Sequence, residues 1–149
     1  MIIENKTYIP TIIVLIVLSI TTLFSCEPLV DNCSGDPRDN YVGTCECEET
    51  SQSFGQSAYL VTISKVGGDS AKISINNFYQ LGTAHSVEAS IDCELLTFSS
   101  GEIDNNIVNG SGTLAGESIT MSYTVFDGAD TDNVTAVYTK QVFWVERND

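Results

Sequence analysis

This chain has few basic residues. Lys and Arg number 6 against 20 Asp and Glu, leaving a formal net charge of −14. Nucleic-acid phosphates need Lys and Arg, so binding to nucleic acid is excluded as an expectation. Electrostatic docking on anionic lipid is excluded by the same deficit. Histidine and tryptophan occur once each, as His85 and Trp144. Gly-x-Ser-x-Gly is missing, and with it the strongest local sign of a serine nucleophile. His85 follows Gly82-Thr83-Ala84 and reads as a solvated loop histidine. Beyond residue 26 no stretch repeats its apolar residues at the helical spacing, so amphipathic helices are not expected.

Long apolar runs are confined to the N-terminus. Ile12 to Ile20 forms an apolar core, preceded by Lys6 and followed by Leu23-Phe24-Ser25-Cys26. The run is shorter than the ~20 residues a membrane-spanning helix needs, and Ser19, Thr21 and Thr22 dilute it. It has the layout of a cleaved secretory signal. Leu23 at the third position before the cysteine, with Ser25 just before it, resembles the lipobox of bacterial lipoproteins. That resemblance implies cleavage before Cys26 and lipidation of the new N-terminal cysteine. Each buried methylene adds about 0.8 kcal/mol, so several acyl chains on one residue make a permanent anchor. By analogy with Gram-negative lipoprotein sorting, Glu27 points to the outer membrane, on its periplasmic or outward face. The expected organisation is a signal peptide over 1–25, a flexible tether over 26–40 and a β domain over 41–149.

The tether reading rests on Glu27 to Asn40, which carries two prolines, a glycine and no periodicity. Past it, period-two alternation recurs. Tyr59, Val61 and Ile63 alternate with polar or outward residues, as do Ile73 and Ile75, then Val87, Ala89 and Ile91. Ile119, Met121, Tyr123 and Val125 give the clearest case. Such alternation marks strands with one buried and one wet face. Gly67-Gly68-Asp69, Asp92-Cys93-Glu94, Ala115-Gly116 and Asp127-Gly128 mark turns. About eight strands are predicted, near 41–48, 58–65, 70–78, 85–92, 94–99, 105–114, 117–126 and 133–145. Short connections make neighbours antiparallel. The expected fold is all-β: an antiparallel meander closed as a barrel or half-barrel, with a β-sandwich as the alternative. Gly110-Ser111-Gly112 would suit a sharp bend or bulge.

A second resemblance covers nearly the whole β domain. Val42-Gly43-Thr44, Ile75-Asn76-Asn77-Phe78-Tyr79, Val87 to Asp92, Gly110 to Leu114 and Ser122 to Val125 together resemble short Gram-negative lipoproteins, some of them lipocalin-like. That family implies a β fold and no assigned activity.

Export places the remaining cysteines, Cys33, Cys45, Cys47 and Cys93, in an oxidising compartment, where disulfides are the default. Cys45 and Cys47 lie two apart on one strand face, at the outer limit of bridge geometry. Cys33 and Cys93 are therefore expected to join them, one each, in either order. Cys-x-Cys lacks the spacing and second ligand pair of a zinc site, and neither a metal nor a cofactor is expected. Asp127, Asp130, Asp132 and Asn133 depart from the EF-hand pattern and read as an acidic turn capping its own backbone. Glu46 and Glu48 oppose the cysteines and read, with Glu49, as a solvated face rather than a glycosidase pair.

These residues point to a monomeric, non-enzymatic, lipid-anchored binding module. Its ligand would be a small apolar molecule or a saccharide, in a cavity lined by Tyr59, Val61, Ile73, Ile75, Met121 and Tyr123. The alternative is a structural or adhesion protein with a solid core. It would meet an envelope protein partner near Tyr79, Phe126 or Trp144, unless Phe143-Trp144 plugs the barrel end.

Overall fold

The computed structural model describes residues 33–141. The expected signal peptide over 1–25, Cys26 and Phe143-Trp144 lie outside the described residues. Eight strands follow one another: β1 (Gly43–Ser51), β2 (Gly55–Lys65), β3 (Lys72–Asn76), β4 (Ser86–Asp92), β5 (Leu95–Ile103), β6 (Asn106–Ala115), β7 (Ser118–Phe126) and β8 (Thr131–Lys140). Each pairs antiparallel with its neighbour, and β8 returns to β1, with Cys45 opposite Lys140 and Ser51 opposite Val134. The sheet is a closed barrel, so the sandwich alternative falls away. Closure leaves no unpaired strand edge.

Alternation builds the core as the sequence predicts. Val61, Ile63, Ile73, Ile75, Val87, Ala89, Ile91, Ile119, Met121, Tyr123 and Val125 all face inward and are buried. The bend expected at Gly110-Ser111-Gly112 has its bulge on the facing strand. Phe98 opposes Gly110 and Gly101 opposes Val108, so Ser99 and Ser100 both stand opposite Asn109. Ser100 adopts φ +54°, and its N–H donates to Asn109 Oδ1 at 2.9 Å. This extra residue tightens the sheet where it must curve.

The two ends of the barrel differ. The basal end carries the start of β1 and the β2–β3, β4–β5 and β6–β7 turns. A 3-10 turn at Pro37–Asn40 lies across it, capped by Asp36. The Arg38 guanidinium donates to the carbonyls of Val66 (3.1 Å) and Asp69 (2.5 Å) and pairs with Asp36. Tyr41 is fully buried, and its hydroxyl donates to the Cys93 carbonyl at 3.0 Å. Cys33 is bonded to Cys93. The sequence expectation of a flexible tether up to residue 40 is therefore corrected. From Cys33 onward the chain is docked as the floor of the barrel, because Arg38, Tyr41 and the disulfide each fix it.

That disulfide also corrects the expected pairing. Cys45 and Cys47 are free and point into the core, while Cys93 sits in the β4–β5 turn at the basal rim. The incoming N-terminal segment passes that rim and brings Cys33 to it. Closing a loop with a separation of 60 residues removes about 4 kcal/mol of unfolded-state entropy.

Candidate functional site

The opposite end, the mouth, concentrates polar side chains inside the wall. On β1 the inward positions run Cys45, Cys47, Glu49, Ser51. Apolar character gives way to polar as the strand approaches the mouth. Glu49 is only 5% exposed, and its Oε2 accepts hydrogen bonds from the Tyr59 hydroxyl at 2.6 Å and from the Tyr123 hydroxyl. Asp132, near the start of β8, is 6% exposed. Its Oδ2 accepts from Ser51 Oγ at 2.5 Å and from the Tyr79 hydroxyl at 2.6 Å, and its Oδ1 from the Ser53 N–H at 3.0 Å. Burial acts to raise the Asp132 pKa, but these hydrogen bonds outweigh it and hold the carboxyl below its ordinary value.

The third element is the β3–β4 connection, which folds over the mouth as a strap. Phe78 inserts beneath it, fully buried, with its ring 5.2 Å from Phe98 and 4.8 Å from Tyr123. Asn77, Tyr79 and Gln80 all adopt left-handed φ values, 61°, 55° and 56°. Such residues cost of order 1–3 kcal/mol each. Hydrogen bonds hold the strap in place: Asn77 Nδ2 to the Leu60 carbonyl at 2.7 Å, Asn77 Oδ1 from the Gly82 N–H at 2.8 Å, and Tyr79 to Asp132. Phe54, in the β1–β2 turn, stands 79% exposed with its ring edge-on to Tyr79.

Two tyrosine hydroxyls meet at Glu49, and a third tyrosine lies one inward position below it. Burial pushes the pKa of Tyr59 and Tyr123 up; the hydrogen bond to Glu49 adds to both, and the Glu49 charge adds to Tyr123. Tyr138 comes in from β8, and its buried hydroxyl has no hydrogen-bond partner. It lies against the Cys47 thiol and feels the Glu49 charge. The basic residues lie elsewhere among the described residues. Arg38 and Lys65 pair with Asp36 and Asp39 at the base, Lys72 with Glu88 on the outer wall, and Lys140 Nζ donates to the Asn40 carbonyl.

The sequence-predicted residues divide accordingly. The six expected cavity-lining residues share the inner face, but they split by depth. Val61, Ile73, Ile75 and Met121 belong to the packed apolar core, whereas Tyr59 and Tyr123 turn their hydroxyls to Glu49. The troughs in the structure lie elsewhere. One of about 530 Å³ runs along outward residues of β1, β2 and β8, including Thr50, Gln56 and Val137. Glu46 and Glu48 are exposed as expected, but Glu49 is not. The acidic turn also separates. Asp127 caps its own backbone through the Ala129 and Asp130 N–H groups, while Asp132 turns inward and Asn133 pairs outside with Gln52. His85 is partly exposed at the mouth rim, 4.0 Å from Asp104. Among the described residues, no group of three or more His, Cys, Asp and Glu could hold a metal ion.

Sequence reasoning missed Glu49, Ser51 and Asp132. The signal was parity: Glu49 and Ser51 continue the Cys45, Cys47 series, and Asp132 continues Val134, Ala136, Tyr138.

The two interior thiols give a direct test. Burial pushes the Cys47 thiol up to about 12 and raises Cys45 as well. Thiolates do the reacting, so neither cysteine should be alkylated by iodoacetamide in the folded protein at neutral pH. Both should be alkylated once the unreduced protein is denatured, with Cys33 and Cys93 still protected. Peptide mass mapping reads the result, and rapid labelling of Cys45 or Cys47 in the folded state would contradict the buried placement.

No family model matches the sequence, and no curated protein matches it. Among solved structures the fold is similar to a redesigned beta barrel, with TM-score 0.51 and 13% identity, covering 72% of this chain and 96% of the other. That likeness concerns the fold alone.

Proposed function

We propose that this protein is a lipid-anchored, non-enzymatic binding module of the cell envelope, taking a small polar molecule at the barrel mouth. The lipobox at Leu23 to Cys26 and the resemblance to short Gram-negative lipoproteins support the anchor, and with it an outer-membrane address. One observation carries the ligand reading. Two nearly buried carboxylates, Glu49 and Asp132, sit at one end of the barrel and, among the described residues, are met only by hydroxyl and backbone N–H donors. Burying charge is costly, and a folded chain with no use for it does better with apolar residues there. Of the two ligand classes the sequence suggests, apolar and saccharide, this end favours the one that offers hydrogen-bond donors. The strained strap and exposed Phe54 form the adaptable edge of the site.

The adhesion reading has one observation in its favour. Ile107 and Phe126 are cross-strand partners at the same end, exposed on the outer face. They give a small apolar contact rather than a broad patch.

Mass spectrometry of the native protein tests the anchor. The expected N-terminal fragment begins at Cys26 and carries a diacylglyceryl thioether and an acylated amine. An unmodified Cys26 with residues 1–25 retained would overturn it. Amide shifts on titrating saccharides test the site. They should concentrate at Ser51, Phe54, Tyr79 and Asp132, and shifts confined to the outer troughs would count against a mouth site.

A further inference from the structure

We infer that the ligand of this mouth site carries an ammonium group, making it a small organic cation held between Glu49, the surrounding tyrosines and Tyr138. The inference rests on the binding-module reading above and names its ligand chemistry.

The hydrogen-bond inventory around Glu49 leads there. The Tyr59 and Tyr123 hydroxyls spend their protons on Glu49 Oε2. What they present to a newcomer is oxygen lone pairs. A carboxylate is acceptor-only, and a phenol whose proton is committed is an acceptor too. Asp132 repeats the arrangement, its oxygens taking the Ser51 and Tyr79 protons. The site is therefore rich in acceptors and carries negative charge. A ligand with several N–H donors and a positive charge completes it, and a neutral alcohol does so only in part.

Tyr138 supplies the independent observation. Its hydroxyl is buried and makes no hydrogen bond, and the residue stands opposite Cys47, one inward position below Glu49 on β1. An unmet buried hydroxyl costs about 1–3 kcal/mol. Phenylalanine at this position would pack the same way without that cost. A polar ligand atom reaching past Glu49 would meet this hydroxyl.

Aromatic rings favour a cation as well. Phe54 and Tyr79 meet edge-on at the mouth and the Tyr123 ring packs on Phe78 beneath the strap, and ring faces attract ammonium groups, more strongly where water is excluded. No lysine or arginine among the described residues is paired with either carboxylate, so the chain does not fill the role itself.

The test uses the full lipidated protein in detergent with three probes. They are phenethylammonium chloride, its neutral isostere 2-phenylethanol, and methyl glucoside. Calorimetry reads affinity and tyrosine-selective NMR reads location. Phenethylammonium is expected to bind at least about ten-fold more tightly than 2-phenylethanol, the smallest margin that assigns recognition to the charge. It should shift Tyr59, Tyr123 and Tyr138. Glu49→Gln should remove that advantage. Tyr138→Phe should fold at least as stably as the parent yet bind the cation more weakly, which a purely structural tyrosine would not do. Equal affinity for the amine and the alcohol would overturn the inference, as would amine shifts confined to exposed Glu46 and Glu48. Binding of methyl glucoside alone would overturn the cation and leave the binding module standing. Binding of none of the three, with the variants folded, would overturn both.

Discussion

Gly110→Val is expected to prevent the barrel from folding. Gly110 faces inward on β6, between Phe98 of β5 and Tyr123 of β7. A Cβ there would stand 2.4 Å from the Ser122 carbonyl oxygen and 2.5 Å from Tyr123 Cα. Those are backbone atoms of a paired strand, and they cannot move aside without breaking the β6–β7 ladder. Ordinary overpacking costs about 1–3 kcal/mol because side chains can shift. Here the ladder must open, so the cost should exceed about 4 kcal/mol, the range reserved for severe core disruption. A domain of this size has roughly 5–15 kcal/mol in total. Gly67→Ala is the matched control, since its added Cβ would meet nothing within 4 Å. Urea unfolding followed by circular dichroism separates the two. Gly67→Ala should keep the parent midpoint, while Gly110→Val should show no cooperative transition. A Gly110→Val protein with a near-parent midpoint would mean that β6 and β7 are not this close.

The same close approach shows how far the sequence could be read. Period-two alternation gave all eight strands, because an apolar inner face leaves a plain mark. Some ends moved: β1 runs to Ser51 rather than 48, β2 begins at Gly55 rather than 58, and β5 runs to Ile103 rather than 99. Short turns then allowed only antiparallel neighbours. Closure needed one more fact, the pairing of β8 with β1, and nothing local to either strand encodes it. The polar mouth was hidden for a related reason. Glu49 and Asp132 obey the inward parity of their strands, yet their chemistry reads as outward. The alternation rule uses polarity to assign faces, so it misplaces a polar residue held inside by other polar residues. Tyr59 and Tyr123 appeared as apolar lining for the converse reason: their rings show in the pattern and their hydroxyl partners do not. The disulfide failed by assumption. Pairing the two strand cysteines outward treated them as available, whereas parity already placed them in the core.

The buried tyrosines make the second large expected effect, seen at high pH. Of six tyrosines, all but Tyr8 lie among the described residues. Tyr41, Tyr59, Tyr79, Tyr123 and Tyr138 all have pKa values raised from 10.0, with burial the largest cause in each. Tyr41 reaches about 12, with the Glu94 charge adding to burial. A raised pKa means the folded protein keeps its phenol protons after the unfolded chain has lost them. The associated stability is therefore complete below pH 10 and is lost as pH rises above it. Each tyrosine held neutral contributes a slope of about 1.4 kcal/mol per pH unit. Counting only the interior three, Tyr59, Tyr123 and Tyr138, the slope is roughly 4 kcal/mol per unit. Against roughly 5–15 kcal/mol of stability, unfolding should follow about one to four units above pH 10. The chain beginning at Cys26 should thus show almost no tyrosinate absorbance near pH 10. The phenols should then ionise together, in step with the loss of far-ultraviolet circular dichroism. If residues 1–25 are retained, Tyr8 should titrate alone first, a built-in reference for an ordinary phenol. Gradual ionisation near pH 10 with the strand signal intact would show that the hydroxyls around Glu49 are open to water. Tyr138→Phe should keep the steep transition and lower its slope by about a third, because one of the three interior phenols is gone.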